Sequence, residues 1–340
     1  MTPSPRSGLA RLAAPLLAAL VALPLSLGAP APASAETLFN EIGGADRFET
    51  SALAAAHILP RSGGTVILAT GRDYPDALAA GPVGALLQAP VLLTAGERLN
   101  EPVRGVIERH APARIVIVGS EAAVPASIDA ELRALAPDAE HVRHGGRDRH
   151  ETAAMLAEHY FPQAREVFVA TGWNYPDALS AGAAAAVRGA PVLLGTAEGL
   201  GETGWAAMER ISPERYWLVG GENVLGRGMP PASLAEQHYE RIAGADRFQT
   251  NAAVADRFFE EPTGLVLLAS GANFPDALVA APLAGRWQAP LLLSRPECTP
   301  AAVSGSADRL LAVQGPDRDP LVAIIGSVVR PEALRNVCAD

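Results

Sequence analysis

The sequence contains no lysine, so its 27 basic residues are all arginines, and it has only two cysteines. Without lysine there is no P-loop, and the glycine pairs do not form the G-x-G-x-x-G pattern of a dinucleotide-binding turn. The formal net charge is −10, which argues against nucleic acid as a partner, because nucleic-acid-binding domains carry basic patches. The G-x-S-x-G and H-E-x-x-H motifs are also absent. We therefore predict no cofactor and no enzymatic activity.

Long hydrophobic runs are absent except near the N-terminus. An apolar stretch over residues 12–27 follows two arginines and precedes the small-residue pattern Ala-Ser-Ala at 33–35. This arrangement predicts a secretory signal peptide over residues 1–35. The apolar stretch is short and proline-interrupted, whereas a transmembrane helix needs about 20 apolar residues. The mature chain is therefore expected to be secreted and to contain no membrane span.

The two cysteines, Cys298 and Cys338, both lie near the C-terminus. Because the compartment outside the cell permits disulfides, we expect them to form one bond. Two free or separately buried thiols are the alternative.

Four sequence blocks occur three times in the same order, at steps of about 100 residues. The first block, Gly-x-Asp-Arg-x-x-Thr, contains Asp46-Arg47, Asp148-Arg149 and Asp246-Arg247. The second block, (Thr/Ser)-Gly-x-x-(Tyr/Phe)-Pro-Asp-Ala-Leu, contains Asp76, Asp177 and Asp276. The third is an apolar run introduced by Ala-Pro, and the fourth is an apolar run that ends in Gly119, Gly220 and Gly326. Such repetition indicates three copies of one structural unit.

Within each copy, short apolar runs alternate with alanine-rich segments of helical length. In the first copy, strands are predicted at residues 66–70, 91–94 and 115–118, and helices near 49–59, 76–87, 101–110 and 126–135. Continuous apolar strands separated by helices are typical of a parallel sheet covered on both faces. The predicted fold is α/β, with three tandem Rossmann-like modules that are joined near residues 137–141 and 235–240.

Together the four blocks resemble the cell-wall-binding repeat type 2 family of Gram-positive bacterial surface proteins. The resemblance covers essentially all of the expected mature chain and implies repeats at residues 36–138, 139–237 and 238–340, packed with pseudo-threefold symmetry. It also implies a location in the cell wall or at the cell surface, and non-covalent binding of an anionic cell-wall polymer. No room remains for an effector domain, so any activity is expected to come from a separate effector protein.

The first block predicts a helix start. Its aspartate precedes a glutamate or glutamine by three residues, which is the spacing of a capping box. The following arginine would lie in the first helical turn, where the helix dipole disfavours a cation, so it needs a partner. That partner is either the second-block aspartate of the same copy or a phosphate or carboxylate of the ligand. The candidate ligand-binding residues are therefore Asp46, Arg47, Asp76, Asp148, Arg149, Asp177, Asp246, Arg247 and Asp276.

The second block follows a strand and opens a helix, at the sheet edge where ligands bind in open α/β folds. Its proline would orient the helix and its aspartate could cap it, so a purely structural turn is the alternative to a binding role. The hydroxyls of Thr70, Thr171 and Ser270 are weaker candidates for the same pocket. No metal site is predicted from the histidines at 141, 144 and 150, because residue 150 occupies a register that phenylalanine fills in the other two copies.

Three classes of function remain compatible with the sequence. Nearly identical residues in three copies favour multivalent attachment, which raises avidity by roughly 10² to 10⁴ without strong single sites. A hydrolase or modifier of a wall polymer that uses the repeated Asp and Arg residues is one alternative. A purely structural surface protein is the other.

Overall fold

The computed structural model describes residues 37–59, 62–226, 238–313 and 319–338, so the predicted signal peptide and part of the 235–240 connection lie outside the described residues. In this described part, the strands form three separate four-stranded sheets, and every strand pair is parallel. Among the described residues, a helix lies between successive strands everywhere except between residues 219 and 238. The predicted α/β fold of three parallel-sheet modules is confirmed.

The elements follow one order in each repeat. The first repeat contains β1 (Leu38–Ile42), α1 (Arg47–Ala55), β2 (Thr65–Thr70), a 3₁₀ helix (Asp76–Ala79) that continues into α2 (Ala80–Leu87), β3 (Val91–Thr94), α3 (Glu101–His110), β4 (Arg114–Val118) and α4 (Ala126–Leu135). The second contains β5 (Glu140–His144), α5 (Arg149–Tyr160), β6 (Glu166–Thr171), α6 (Pro176–Arg188), β7 (Val192–Gly195), α7 (Gly201–Ile211) and β8 (Arg215–Val219). The third contains β9 (His238–Ile242), α8 (Arg247–Phe258), β10 (Leu265–Ser270), α9 (Pro275–Trp287), β11 (Leu291–Ser294), α10 (Ala301–Leu311), β12 (Leu321–Ile325) and a 3₁₀ helix (Pro331–Leu334).

The leading strand of each repeat pairs in the sheet of another repeat. Strand β5 pairs with β4, so the sheet orders are β3-β2-β4-β5 and, by the same rule, β7-β6-β8-β9. Strand β1 pairs with β12, from Leu38 against Leu321 to Ile42 against Ile325, and completes the third sheet, β1-β12-β10-β11. We name these sheets and their helices module 1 (β2 to β5), module 2 (β6 to β9) and module 3 (β10 to β12 with β1). Sheet membership therefore divides the chain just after β5 and β9.

Helices α2, α6 and α9 hold the three modules together, since each contacts the other two. Small residues make this approach possible: a Cβ on Gly81 would come within 2.5 Å of the Ala281 Cβ. The largest apolar core cluster continues across residues of all three modules. Burial of apolar surface, which contributes roughly 25 cal/mol per Å², thus stabilises the junctions as well as the individual sheets. The three modules consequently pack around a common axis.

A disulfide joins Cys298 and Cys338, which are separated by 40 positions and whose Cα atoms lie 5.0 Å apart. Beside it, Thr299 forms a β-bridge with Val337. These contacts tie the segment after β12 to the loop before α10. In the described part of the chain, no helix is long and apolar enough to cross a membrane.

Candidate functional site

The first block forms the same helix start in each repeat. Asp46 Oδ1 accepts hydrogen bonds from the backbone N–H groups of Phe48 and Glu49, both at 2.9 Å. The Glu49 carboxylate in turn accepts from the Ala45 N–H at 2.7 Å. Asp148 and Asp246 cap α5 and α8 in the same way. The predicted capping role of these aspartates is confirmed. Both cap hydrogen bonds of Asp46 go to Oδ1, so Oδ2 takes no part in the cap.

The first-block arginines lie at the junctions between modules. Their Nη1 atoms donate to backbone carbonyls of their own modules, over distances of 2.6, 2.6 and 2.9 Å in the pairs Arg47–Gly71, Arg149–Gly172 and Arg247–Gly271. Each guanidinium carbon also lies 5.3 to 5.8 Å from the centroid of an aromatic ring in another module, in the pairs Arg47–Phe274, Arg149–Tyr74 and Arg247–Tyr175. Each arginine therefore joins two modules.

The second-block aspartates pack against the fourth-block glycines. A Cβ on Gly119, whose φ is +112°, would lie 3.1 Å from Asp76 Oδ2, and a Cβ on Gly220 would lie 2.6 Å from Asp177 Oδ2. At the third position, a Cβ on Gly326 would overlap the Asp276 carboxyl. The fourth block thus ends in glycine because the carboxyl group occupies the space of a side chain. The expected capping role of these aspartates is wrong for α6 and α9, whose N-cap residues are Tyr175 and Phe274, with no side-chain cap bond.

Each second-block aspartate faces an arginine from the following module of the ring. Burial raises the pKa of Asp177 to about 6, and the charge of Arg247 opposes this effect. Burial likewise raises the pKa of Asp276 to about 6, against the charge of Arg47.

The third junction follows the same pattern. Burial raises the pKa of Asp76, opposed by a hydrogen bond with Thr152 and by the charge of Arg149. The hypothesis that each arginine pairs with the aspartate of its own copy is therefore wrong, because the modules meet with the arginine of one beside the carboxyl of the preceding one.

A cleft of about 430 Å³ lies at the junction between modules 1 and 2. It brings together three of the candidate ligand-binding residues, Asp76, Asp148 and Arg149. Its charged lining residues are Arg72, Arg147, Arg149, Asp73, Asp76 and Asp148. Cation and carboxylate thus balance in this cleft, although the whole chain has a net charge of −10. Guanidinium groups bind phosphate and carboxylate oxygens through paired hydrogen bonds, so the cleft can accept an anionic group.

The weaker candidates and the histidines have local partners. Thr70 lines the cleft, and its Oγ1 accepts from the Arg72 N–H at 3.3 Å. His141, His144 and His150 hydrogen-bond with the Ala136 carbonyl, the Tyr160 hydroxyl and the Leu194 carbonyl, respectively. Among the described residues, no group of three or more His, Cys, Asp or Glu is placed to hold a metal ion.

Three aromatic rings, Tyr74, Tyr175 and Phe274, meet at the common axis with centroids 5.5 to 6.0 Å apart. We name them the aromatic triangle. Tyr74 Oη donates to the Trp173 carbonyl and Tyr175 Oη to the Ala272 carbonyl, both at 2.8 Å. This cluster was not predicted from the sequence. In the sequence, the cluster is indicated by the aromatic residue that precedes the proline in every copy of the second block.

The comparisons with known families agree with the observed repeats. A family model described as cell wall binding domain 2 (CWB2) matches residues 41–129, 143–228 and 241–329, which together make up more than half of the chain. Two solved structures from Clostridium difficile share the fold. Cwp6 superposes with a TM-score of 0.79 at 22% identity, over 88% of this chain and 47% of that chain. Cwp8 superposes with a TM-score of 0.78 at 25% identity, over 88% of this chain and 51% of that chain.

Two proteins of Bacillus subtilis (strain 168) are similar in sequence. The N-acetylmuramoyl-L-alanine amidase LytC is 23% identical over 269 residues, which make up 78% of this chain and 52% of that protein. The amidase enhancer is 24% identical over 263 residues, which make up 77% of this chain and 36% of that protein. The chain spans about half or less of the length of these relatives.

Proposed function

Because this chain belongs to the cell wall binding domain 2 family, we propose that it attaches to the bacterial cell wall by multivalent, non-covalent binding of an anionic wall polymer. The observation that carries the proposal is the cleft between modules 1 and 2, where Arg149 lies beside two further arginines. Each module junction repeats the same aspartate and arginine pair. Three such junctions provide three points of attachment for one polymer chain.

The clustered arginines explain how an acidic protein binds an anionic polymer. Unfavourable long-range repulsion decays over a Debye length of about 8 Å at physiological salt, so short-range contacts dominate. The buried carboxyl groups also lose their charge more readily than ordinary carboxyls, since burial raises the pKa of Asp177 and of Asp276 to about 6. In mildly acidic surroundings, the junctions that contain Asp177 and Asp276 therefore become more positive.

We propose a non-catalytic role. The repeated residues form three similar junctions, whereas a hydrolase needs one asymmetric arrangement of acid, base and substrate. The matched relatives carry different names, an amidase and an amidase enhancer, and share this portion of about 270 residues. A portion common to proteins of different activity supports an attachment role, with a separate effector protein as the partner that supplies chemistry. Residues 1–35 would direct export, which places the mature protein in the wall or at the cell surface.

A sedimentation assay with purified sacculi tests the proposal. The protein is expected to sediment with intact sacculi and to stay in solution after the anionic polymers have been stripped with dilute acid. Equal binding to both preparations would contradict a role for the anionic polymer. Release of labelled fragments from the sacculi by the protein alone would instead support the hydrolase alternative.

Natural differences between the repeats supply a matched variant. Ala45 and Ala245 stand where module 2 has Arg147, and Ala272 stands where module 1 has Arg72, so alanine is compatible with the fold at both positions. The double variant Arg72→Ala/Arg147→Ala is expected to weaken binding to sacculi several-fold with an unchanged melting temperature. Arg133→Ala, an exposed change outside the cleft, is the control.

A further inference from the structure

Trp173 is the most exposed of the large apolar side chains in the described part of the chain, with 65% of its surface open to solvent. Its position follows the glycine of the second block, where module 1 has Arg72 and module 3 has Ala272. Nothing in the fold requires an aromatic residue here, because the other two modules form the same turn without one. The tryptophan is therefore a feature of module 2 alone.

The local structure holds this indole at a defined place. The backbone N–H of Trp173 donates to Thr171 Oγ1 at 3.2 Å, and the backbone carbonyl of Trp173 accepts from Tyr74 Oη at 2.8 Å. The Arg149 guanidinium carbon lies 5.3 Å from the ring centroid, and the His150 ring centroid lies 6.4 Å away. Trp173 thus has a fixed backbone and two fixed neighbours, while most of its surface remains open.

Trp173 is not itself a lining residue of a cleft, but its two neighbours line one cleft each. Its neighbour Arg149 lines the 430 Å³ cleft, and its other neighbour, His150, lines a second cleft of about 400 Å³ in module 2. The two clefts share Arg147 and Asp148, so they meet at the first-block turn of this module. The exposed indole therefore neighbours one side chain of each cleft, where a bound polymer can also reach it.

We propose that Trp173 is a stacking platform for a sugar ring, so that the polymer bound at this junction is an acidic polysaccharide. The inference rests on the proposed function and specifies its ligand. The face of an aromatic ring attracts the C–H groups of a pyranose through dispersion and weak C–H contacts, and its flat shape needs little reorganisation. Anionic groups on neighbouring sugars then reach Arg147 and Arg149. A polymer of alternating glycerol and phosphate has no ring to place on the indole.

Scattered exposed apolar residues are common on protein surfaces, and alone they indicate no site. Trp173 differs because its ring lies near an arginine of the first cleft and a histidine of the second, and these two clefts share Arg147 and Asp148. Tryptophan and arginine are also the residues that most often dominate binding energy at interfaces. The platform and the charged groups therefore act on one ligand.

Two soluble probes test the platform. The first is acidic polysaccharide released by dilute acid from Gram-positive sacculi, and the second is unglycosylated poly(glycerol phosphate). Calorimetric titration of each probe is done with the wild-type protein, Trp173→Ala and Trp173→Phe. We expect Trp173→Ala, which carries the residue natural to module 3, to weaken polysaccharide binding about three- to tenfold, as loss of one aromatic contact predicts. Trp173→Phe should retain most of the binding, and poly(glycerol phosphate) should bind all three proteins equally.

The converse change gives an independent readout. Ala272→Trp, which places an indole at the equivalent position of module 3, should strengthen polysaccharide binding. Unchanged polysaccharide affinity in Trp173→Ala overturns the platform, as does a wild-type protein that binds intact sacculi but not the polysaccharide. Both results leave the proposed function intact. A wild-type protein that binds neither probe nor intact sacculi overturns both proposals.

Discussion

The carboxyl group of Asp276 in module 3 lies directly against Gly326 at the end of β12, in the space that a side chain would fill. Only 7% of Asp276 is exposed, and burial raises its pKa to about 6 against the charge of Arg47. The same relationship joins Asp177 to Gly220 in module 2. The modules thus meet around carboxyl groups that gain a proton at mildly acidic pH.

This burial predicts an unusual pH dependence of stability. The folded state binds the proton of Asp276 more tightly than the unfolded state, in which the ordinary pKa of 3.8 applies. The free energy of unfolding should therefore rise as the pH falls from 7 to 5, by about 1.3 kcal/mol for each carboxyl group whose pKa is about 6. The full gain of about 3 kcal/mol would be reached only below pH 3.8. Asp276→Asn should be more stable than the wild type at pH 7.5 and should show a flatter profile. Urea denaturation at several pH values measures this, and a stability that falls steadily from pH 7 to 5 would contradict it.

The aromatic triangle predicts a stabilising substitution. Tyr74 and Tyr175 each donate a hydrogen bond to a carbonyl of the next module, whereas Phe274 has no hydroxyl group. By the repeat, the Phe274→Tyr hydroxyl should reach the Arg72 carbonyl and raise the free energy of unfolding by about 0.5 to 1 kcal/mol. Tyr74→Phe and Tyr175→Phe are the matched controls and should lower it by a similar amount. An unchanged urea midpoint in Phe274→Tyr would mean that the third junction differs in geometry.

Replacement of the first-block arginines tests their two roles. Arg149→Ala loses the hydrogen bond to the Gly172 carbonyl and the stacking on Tyr74. It should lower stability by about 2 to 4 kcal/mol, from roughly 1.5 to 3 for the charged hydrogen bond and 0.5 to 1 for the stacking. Arg149→Lys keeps the charge but not the planar group, so it should preserve wall binding better than stability.

A change of all three arginines extends this test. If they contact the polymer jointly, a single replacement weakens wall binding modestly and the variant Arg47→Lys/Arg149→Lys/Arg247→Lys weakens it more than additively. Thermal melting and sacculus binding are measured on the same proteins. A triple lysine variant that melts and binds like the wild type would show that the planar guanidinium group is needed neither at the junctions nor for the polymer.

The disulfide is expected to stabilise the C-terminal part of module 3. Cys298 and Cys338 are separated by 40 positions, and closing such a loop contributes a few kcal/mol. The secreted, unreduced protein should show no reactive thiol under denaturing conditions, and reduction should lower the melting temperature. Cys298→Ser/Cys338→Ser should melt like the reduced wild type. Labelling of two thiols in the unreduced protein would refute the bond.

The internal elements of each module could be predicted because they are strongly patterned. The strands predicted near residues 66–70, 91–94 and 115–118 are continuous apolar runs and are buried in the structure. The helix predicted at 49–59 begins earlier, at Arg47, because Asp46 caps it. Strands β1, β5 and β9 were not predicted, since each has mostly exposed or half-buried residues, as expected of a sheet edge.

The junctions could not be predicted in the same way. Repetition shows that Arg149 and Asp177 each have a counterpart in the other two copies. It does not show which copy's arginine contacts which copy's aspartate. The structure places Arg149 beside Asp76 of the preceding module. The contact depends on how helices α2, α6 and α9 pack against each other. In the sequence, this packing is indicated mainly by small residues such as alanine and glycine, which do not specify the partner helix.

The pairing of β1 with β12 makes the two ends of the described chain parts of one sheet. These strands are separated by nearly the whole chain, so their contact is among the most costly in loop entropy and is expected to form late in folding. Until β1 docks, the edge of β12 has unpaired backbone groups that can recruit a strand from another molecule. Deletion of β1 and deletion of β12 should therefore both destabilise module 3. The pairing of these two strands closes the ring of three modules.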